Sequence, residues 1–189
     1  MIEAFWISTG VIFLAELGDK SQLMALAFAS RYKPWPVLAG ISIATALVHA
    51  ASVLLGAGVA GRIPTDKVNV VAGVAFIGFA VWTVRGDALT DEDEARARRG
   101  GRSAFLAAGL AFFIAELGDK TMLATITLAA RYEAFGTWVG STVGMVAADA
   151  IAIVFGAHFG RRLPQRTMRF VAAGLFILFG TLLITEGLR

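Results

Sequence analysis

The sequence of 189 residues contains no cysteine, only two histidines and few charged side chains. The absence of cysteine excludes a disulfide framework, a thiolate metal site and a thiol nucleophile. Two histidines argue against a zinc site built from several imidazoles. Charged residues make up 16% of the chain, against about 25% in an average soluble domain. Together these shortages argue against a disordered chain, a nucleic-acid-binding arm and an ordinary cytosolic enzyme.

Apolar residues make up 57% of the chain, and the mean hydropathy is +0.72. They are concentrated in six stretches, each close to the roughly 20 residues with which a helix crosses a bilayer. Backbone groups in lipid must be satisfied within their own segment, so we expect an all-α membrane protein with six transmembrane helices. The first stretch lacks a basic start and carries charges in its middle, so we expect no cleaved signal peptide. The expected spans are residues 3–29, 35–61, 68–86, 103–130, 135–159 and 167–187.

The basic residues are distributed unevenly between the loops. Eleven of the 17 lysines and arginines lie in the loops after the first, third and fifth spans, whereas four lie on the other side. Cytoplasmic loops carry an excess of lysine and arginine, so we expect a cytoplasmic central loop and both termini outside. The central loop, residues 87–102, runs from acidic to basic, and we interpret it as a solvated linker.

The chain contains the same pattern twice. When the sequence is shifted by 100 residues, residues 13–21 (FLAELGDKS) align with residues 113–121 (FIAELGDKT). Further matches follow in the same register, for example Gly40 with Gly140. Chance would rarely produce such an alignment, so we interpret the chain as an internal repeat.

Each unit of the repeat has three expected spans. Because three is an odd number, the second unit must enter the membrane from the opposite side, which gives two inverted three-helix repeats. Many secondary transporters have this architecture, with the substrate site near the bilayer midplane where the halves meet. A pair of similar structural halves without a transport role is the alternative. The expected domains are a first repeat, residues 1–86, a cytoplasmic linker, residues 87–102, and a second repeat, residues 103–189.

Two clusters of charged residues fall near the middle of the first and fourth spans. A charge at the bilayer centre costs about 2.5–3.5 kcal/mol on insertion scales, so these groups must face one another or water. In each cluster the two carboxylates are spaced i,i+3, which places them on one helix face. A glycine between them weakens the helix and could let it unwind locally, so that carbonyl groups point into a cavity. The clusters are Glu16, Asp19 and Lys20, and Glu116, Asp119 and Lys120.

The side chains of this region offer almost only oxygen atoms as ligands. Ser21 and Thr121 add hydroxyl groups, and Gln22 adds an amide. Oxygen ligands suit hard cations such as Ca²⁺, Mg²⁺ and Mn²⁺. Four carboxylates and two lysines leave a charge of −2, which one divalent cation or bound protons would neutralise. Competition between the two is a basis for cation/proton antiport, whereas structural Glu–Lys or Asp–Lys bridges are the alternative.

A second polar layer is expected on the second and fifth spans. Helical spacing places Ser42, Thr45, His49 and Ser52 in one stripe. The repeat pairs His49 with Asp149, a lone carboxylate in the middle of the fifth span. We expect both to act in a proton relay or as outer ligands, and for His49 a structural role is an equal alternative. A GxxxGxxxG sequence early in the fifth span indicates close helix packing.

The two clusters resemble a known signature. The sequences ELGDKS, residues 16–21, and ELGDKT, residues 116–121, are similar to the doubled E-x-G-D-(K/R)-(S/T) motif of the Gdt-type Mn²⁺/Ca²⁺ transporter family. The resemblance covers the whole chain. It implies export of Mn²⁺ or Ca²⁺ from the cytosol in exchange for protons, in a bacterial plasma-membrane protein. It further implies a cation site at Glu16, Asp19, Glu116 and Asp119, completed by Lys20, Ser21, Lys120 and Thr121.

Two other functional classes stay open at this stage. Broken helices with buried acids also suit a passive divalent-cation channel, and two intramembrane Gly-Asp pairs allow an intramembrane enzyme. Because Mn²⁺ and Ca²⁺ both accept oxygen ligands, the sequence does not choose between them. The expected partners are the divalent cation, protons and the lipid bilayer, without nucleic acid or a cofactor. A homo-oligomer is left open.

Overall fold

The computed structural model describes residues 1–85, 103–159 and 165–189. Within these ranges the regular structure consists of eight helices and contains no strand, so the expected all-α fold is confirmed. The linker expected at residues 87–102 lies outside the described residues. The helices are α1 (Ile2–Glu16), α2 (Lys20–Ala29), α3 (Pro34–Val59), α4 (Thr65–Arg85), α5 (Ala104–Glu116), α6 (Lys120–Arg131), α7 (Ala134–Phe159) and α8 (Gln165–Gly187).

Four of these helices are long and apolar enough to cross a membrane. They are α3, α4, α7 and α8, and they coincide with the second, third, fifth and sixth expected spans. The first and fourth expected spans, residues 3–29 and 103–130, are not continuous helices. Each consists of two shorter helices, α1 and α2 or α5 and α6, which are separated by a break at a Leu-Gly-Asp sequence.

The two breaks have the same backbone conformation. Leu17 is extended, with φ −61° and ψ 117°, and Leu117 is extended with φ −65° and ψ 114°. The following residues, Gly18 and Gly118, have φ of +77° and +81°, in the left-handed region where glycine carries no Cβ penalty. The predicted unwinding at these glycines is therefore confirmed. Because the helix stops between them, Glu16 and the aspartate three residues later do not share one helix face, which corrects the sequence prediction.

Close packing joins helices that belong to different halves of the sequence. Helix α1 packs along α7, α3 packs along α5 and α6, and α4 packs against α8. A Cβ atom added to Gly140 would lie 2.3 Å from the carbonyl oxygen of Phe5, and one added to Gly40 would lie 2.3 Å from that of Phe105. Approaches of 2.5 Å at Gly136 and Gly144 confirm that the glycine ridge is a packing surface.

Both chain termini lie at the same end of the helical bundle, here called the terminal end. The amino group of Met1 is 3.8 Å from a carboxylate oxygen of Glu133, and Arg131 Nη2 donates to Glu186 Oε2 over 2.7 Å. Backbone N–H groups of Gly136 and Phe135 hold the pKa of Glu133 below its usual value. Helices α3 and α5 begin at the other end, here called the opposite end, where Gly40 contacts Phe105.

Candidate cation site

The four carboxylates expected to bind the cation are all buried at the two helix breaks. Glu16 ends α1 and Glu116 ends α5, and their side chains are 0% and 1% exposed. Asp19 and Asp119 precede α2 and α6 and are 2% and 3% exposed. Glu16 interacts electrostatically with both Asp19 and Glu116, so carboxylates from the two halves of the sequence form one charged centre.

Each lysine of this centre pairs with the aspartate of the other half. Lys120 Nζ donates a hydrogen bond to Asp19 Oδ1, and Lys20 Nζ lies 3.4 Å from Asp119 Oδ1. The first pair is almost fully buried, whereas the Lys20 side chain is 23% exposed. The Asp–Lys bridges considered as a structural alternative therefore exist, but they connect the halves instead of running along one helix.

The glutamates lack comparable partners. Within residues 1–85, 103–159 and 165–189, neither carboxylate oxygen of Glu16 has a hydrogen-bond partner. Glu116 accepts one hydrogen bond, from Thr121 Oγ1 over 2.8 Å, through its Oε2 atom, while its Oε1 atom has no partner there. A buried carboxylate without a partner is costly when it is ionised, so this centre requires positive charge or protons from elsewhere.

Hydroxyl and amide groups near the breaks have different roles in the two halves. Ser21 donates to Asp19 Oδ2 over 3.2 Å, whereas its counterpart Thr121 donates to a glutamate. Gln22 accepts from the Gly18 N–H over 2.9 Å and donates to the Ala148 carbonyl over 3.0 Å, so it fixes the first break to α7. These contacts are consistent with the supporting role expected for Gln22, which stays a prediction.

In the second half a methionine takes the place of that glutamine. Met122 Sδ lies 3.2 Å from the Gly118 N–H, and sulfur is a weaker acceptor than an amide oxygen. Sequence analysis did not single out Met122, although the 100-residue shift aligns it with Gln22. The second break therefore has the weaker side-chain acceptor of the two.

His49 and Asp149 are fully buried on α3 and α7. Neither ring nitrogen of His49 and neither oxygen of Asp149 has a hydrogen-bond partner among the described residues. Asp149 interacts electrostatically with Glu16 and Asp19, which makes it a fifth carboxylate of the same centre. In the stripe that contains His49, Thr45 and Ser52 are buried as well.

Arg169 also reaches this region, although sequence analysis did not single it out. Its Nε atom lies 3.3 Å from the carbonyl oxygen of Gly18 and donates a hydrogen bond to it. Across the part of the chain that the structure describes, no three acidic or histidine side chains stand in an arrangement that would hold one metal ion together. Both aspartates instead contact lysines.

The site combines buried carboxylates, paired with lysines, at two helix breaks inside a bundle of apolar helices. This combination is typical of membrane proteins that move ions. The fold and the site thus define the class as a helical membrane transport protein. The sequence profile of the family described as "Divalent cation/proton antiporter GDT1" matches residues 4–91 and 104–189. The chain belongs to this family, and its members are transporters and not enzymes.

Individual relatives agree with the family assignment. A Vibrio cholerae protein described as a candidate manganese exporter is 41% identical over 91% of this chain and 86% of its own length. A GDT1-like protein of Synechocystis is 29% identical over 95% of both chains. GDT1-like protein 4 of rice is also 29% identical, over 95% of this chain and 72% of its own. No solved structure shows significant similarity to the chain.

Proposed function

We propose that this protein exports a divalent cation, Mn²⁺ before Ca²⁺, from the cytosol in exchange for protons. The observation that carries the proposal is a centre of five buried carboxylates, in which Glu16 and Asp149 have no hydrogen-bond partner among the described residues. Membership of the divalent cation/proton antiporter family and the similarity to the Vibrio protein support the choice of cargo.

We further propose that six spans form two inverted three-helix repeats around this centre. The equal backbone angles at Leu17 and Leu117, with left-handed glycines after both, support a structural repeat. The matched contacts of Gly40 and Gly140 support a two-fold relation between the halves. In this arrangement α1 with α2 forms one broken span, and α5 with α6 forms the other.

The cation ligands in this proposal are Glu16, Asp19, Glu116 and Asp119. Both aspartates are paired with lysines, so they can bind a cation only after those pairs separate. Because each pair connects the two halves, cation binding is coupled to a movement of one half against the other. Such a movement is what alternating access at a midplane site requires.

Protons balance the charge of the centre when the cation leaves. Asp149 is the proposed proton carrier, since it is fully buried and interacts with Glu16 and Asp19 without a lysine of its own among its described contacts. His49, its counterpart in the first half, is the proposed second member of this relay. A proton bound at these groups and a cation bound at the four ligands then compete through electrostatic repulsion.

The proposed location is a bacterial plasma membrane with the linker in the cytoplasm and both termini outside. The excess of basic residues in the loops on the linker side supports this orientation. The terminal end of the bundle would then face the exterior, and the opposite end would face the cytosol.

Proton flux in proteoliposomes tests this function. We expect inward-directed Mn²⁺ or Ca²⁺ gradients to drive outward proton movement in the unmodified protein, and chelation of the metal to abolish it. Glu16→Gln and Asp119→Asn should lower the rate by at least about tenfold, since even the loss of a group that only supports a metal ligand costs about that much. The matched controls Glu3→Gln and Asp66→Asn, at exposed positions, should leave it unchanged.

Two outcomes would contradict the proposal. Unchanged flux in both site variants would remove the site assignment. A metal conductance that is insensitive to the proton gradient would indicate a passive channel, the second candidate function, for which the paired helix breaks are equally suited.

A further inference from the structure

The two helix breaks differ in how they are covered. Gly18 is buried, and its carbonyl oxygen accepts a hydrogen bond from Arg169 Nε on α8 over 3.3 Å. At the second break Gly118 is exposed, and the Leu117 side chain is 49% exposed. The first break is therefore covered and contacted by a guanidinium group, whereas the second has an exposed glycine and an exposed leucine.

The repeat explains why the two breaks are not equivalent. Arg169 corresponds to Asn69 when the sequence is shifted by 100 residues. Asn69 is buried on α4 and accepts a hydrogen bond from Arg131, which also donates to Glu186 at the terminal end. Asparagine has a shorter side chain and no charge, so it cannot replace the guanidinium at the matched break.

The Gly18 carbonyl is the kind of group that a hard cation uses. Backbone carbonyls at an unwound segment coordinate cations in transporters with broken helices. A guanidinium group bonded to such an oxygen places a positive charge and a hydrogen-bond donor at that point. Since α8 ends at the terminal end, Arg169 near its beginning approaches the break from the opposite end.

We propose that Arg169 closes the first helix break against cation entry from the opposite end, by holding the Gly18 carbonyl until a divalent cation displaces the guanidinium. This inference rests on the proposed transport function. Arg169 is a positioning residue in it, because it acts through the backbone oxygen and not on the cargo itself. Removal of the guanidinium should make the break more accessible and should ease cation entry from that side.

The absence of native cysteine allows a direct measurement of accessibility. A Leu17→Cys reporter beside the break is labelled with a membrane-impermeant maleimide added on the side of the opposite end. We expect Arg169→Gln in this background to increase the labelling rate by roughly tenfold, the factor expected for the loss of one charge-assisted hydrogen bond. Arg169→Lys, which keeps the charge and a donor, should restore slow labelling.

Transport kinetics provide the second measurement. Arg169→Gln should lower the apparent KM for Mn²⁺ on the side of the opposite end by about the same factor, since the cation no longer competes with the guanidinium. The matched control is Arg166→Gln on the same helix, whose exposed guanidinium lies 5.9 Å from the centroid of the Phe170 ring. It should change neither labelling nor KM.

The outcomes separate this inference from the proposed function. Labelling and KM in Arg169→Gln that equal those of Arg166→Gln would overturn the inference, while the unmodified protein still transports Mn²⁺. A fall in kcat alone, with unchanged labelling, would likewise overturn it. An unmodified protein that moves no divalent cation would defeat the proposed function, and the labelling rates would still decide whether Arg169 closes the break. If Arg169→Gln does not fold, Arg169→Asn, which copies the matched residue, is judged by the same criteria.

Discussion

At the residue scale, the exchange of lysines between the two acidic clusters is the feature that distinguishes this centre. Each lysine could have paired with Glu16 or Glu116 on its own half at i,i+4 spacing, but Lys20 and Lys120 contact Asp119 and Asp19 instead. A buried ion pair adds little net stability because desolvation offsets its attraction. Its structural effect here is to connect the acidic clusters of the two halves of the sequence.

The unequal burial of the two lysines leads to a testable difference in stability. Lys120→Gln leaves Asp19 buried without its cation, so we expect the free energy of unfolding to fall by about 3–5 kcal/mol. Lys20→Gln should cost less, because the Lys20 side chain is 23% exposed and Asp119 can recover some solvation. Thermal unfolding in detergent measures both, and equal losses would contradict the assigned burial.

At the element scale, the broken helices position the site. A continuous helix would have placed Glu16 and Asp19 one above the other on a single face, as the sequence spacing predicted. The left-handed Gly18 ends α1 and starts a new helix with Asp19 at its N-terminal boundary. Glu16 thus lies at the end of α1 and Asp19 at the start of α2, and Asp19 contacts Lys120 of the other half.

Close packing through glycine holds these broken helices in place, and it can be tested at matched positions. In Gly140→Ala the new Cβ would lie 2.3 Å from the Phe5 carbonyl oxygen, so α1 and α7 must separate. We expect a loss of about 1–3 kcal/mol in the free energy of unfolding. Gly78→Ala, where nothing lies within 4 Å of the new Cβ, should be neutral or slightly stabilising.

The measurement is again the midpoint of thermal unfolding in detergent, with both variants in the same preparation. Equal midpoints for the two alanine variants would show that the approach of α1 to α7 at Gly140 carries no packing constraint. A similar loss in Gly40→Ala, where the added Cβ would lie 2.3 Å from the Phe105 carbonyl oxygen, would extend the result to the matched pair.

At the scale of the whole molecule, the bundle places both termini at one end and the beginnings of α3 and α5 at the other. Contacts of Met1 with Glu133 and of Arg131 with Glu186 fix the first of these ends. Helix α4 ends, and α5 begins, at the opposite end. An odd number of crossings in each half stays a prediction, and it is the basis of the proposed topology.

The orientation of this bundle in the membrane is the corresponding prediction. In the cysteine-free background, we expect Leu188→Cys to react with an impermeant maleimide added to intact cells, and Ala95→Cys in the linker to react only after permeabilisation. The positive charge of the linker side is the physical reason. Labelling of both positions from outside would contradict the proposed topology.

Much of this protein follows from the sequence by itself. A helix satisfies its own backbone hydrogen bonds in lipid, so the apolar stretches determined the helical class. Because charges are costly in lipid, the doubled ELGDK motif of the sequence repeat predicted that its acidic residues are buried. They also indicated where the helices weaken, since a glycine lies between the paired carboxylates in both clusters.

Tertiary structure alone decided which groups meet. Three contacts join residues of different halves that are between 101 and 151 positions apart. They are the pairing of Lys120 with Asp19, the hydrogen bond of Gln22 to α7 and the hydrogen bond of Arg169 to Gly18. Such contacts depend on how helices cross, and that is set by the packing of small residues such as Gly40 and Gly140. Sequence spacing reports only neighbours within one helix, so it predicted the composition of the centre and not its connections.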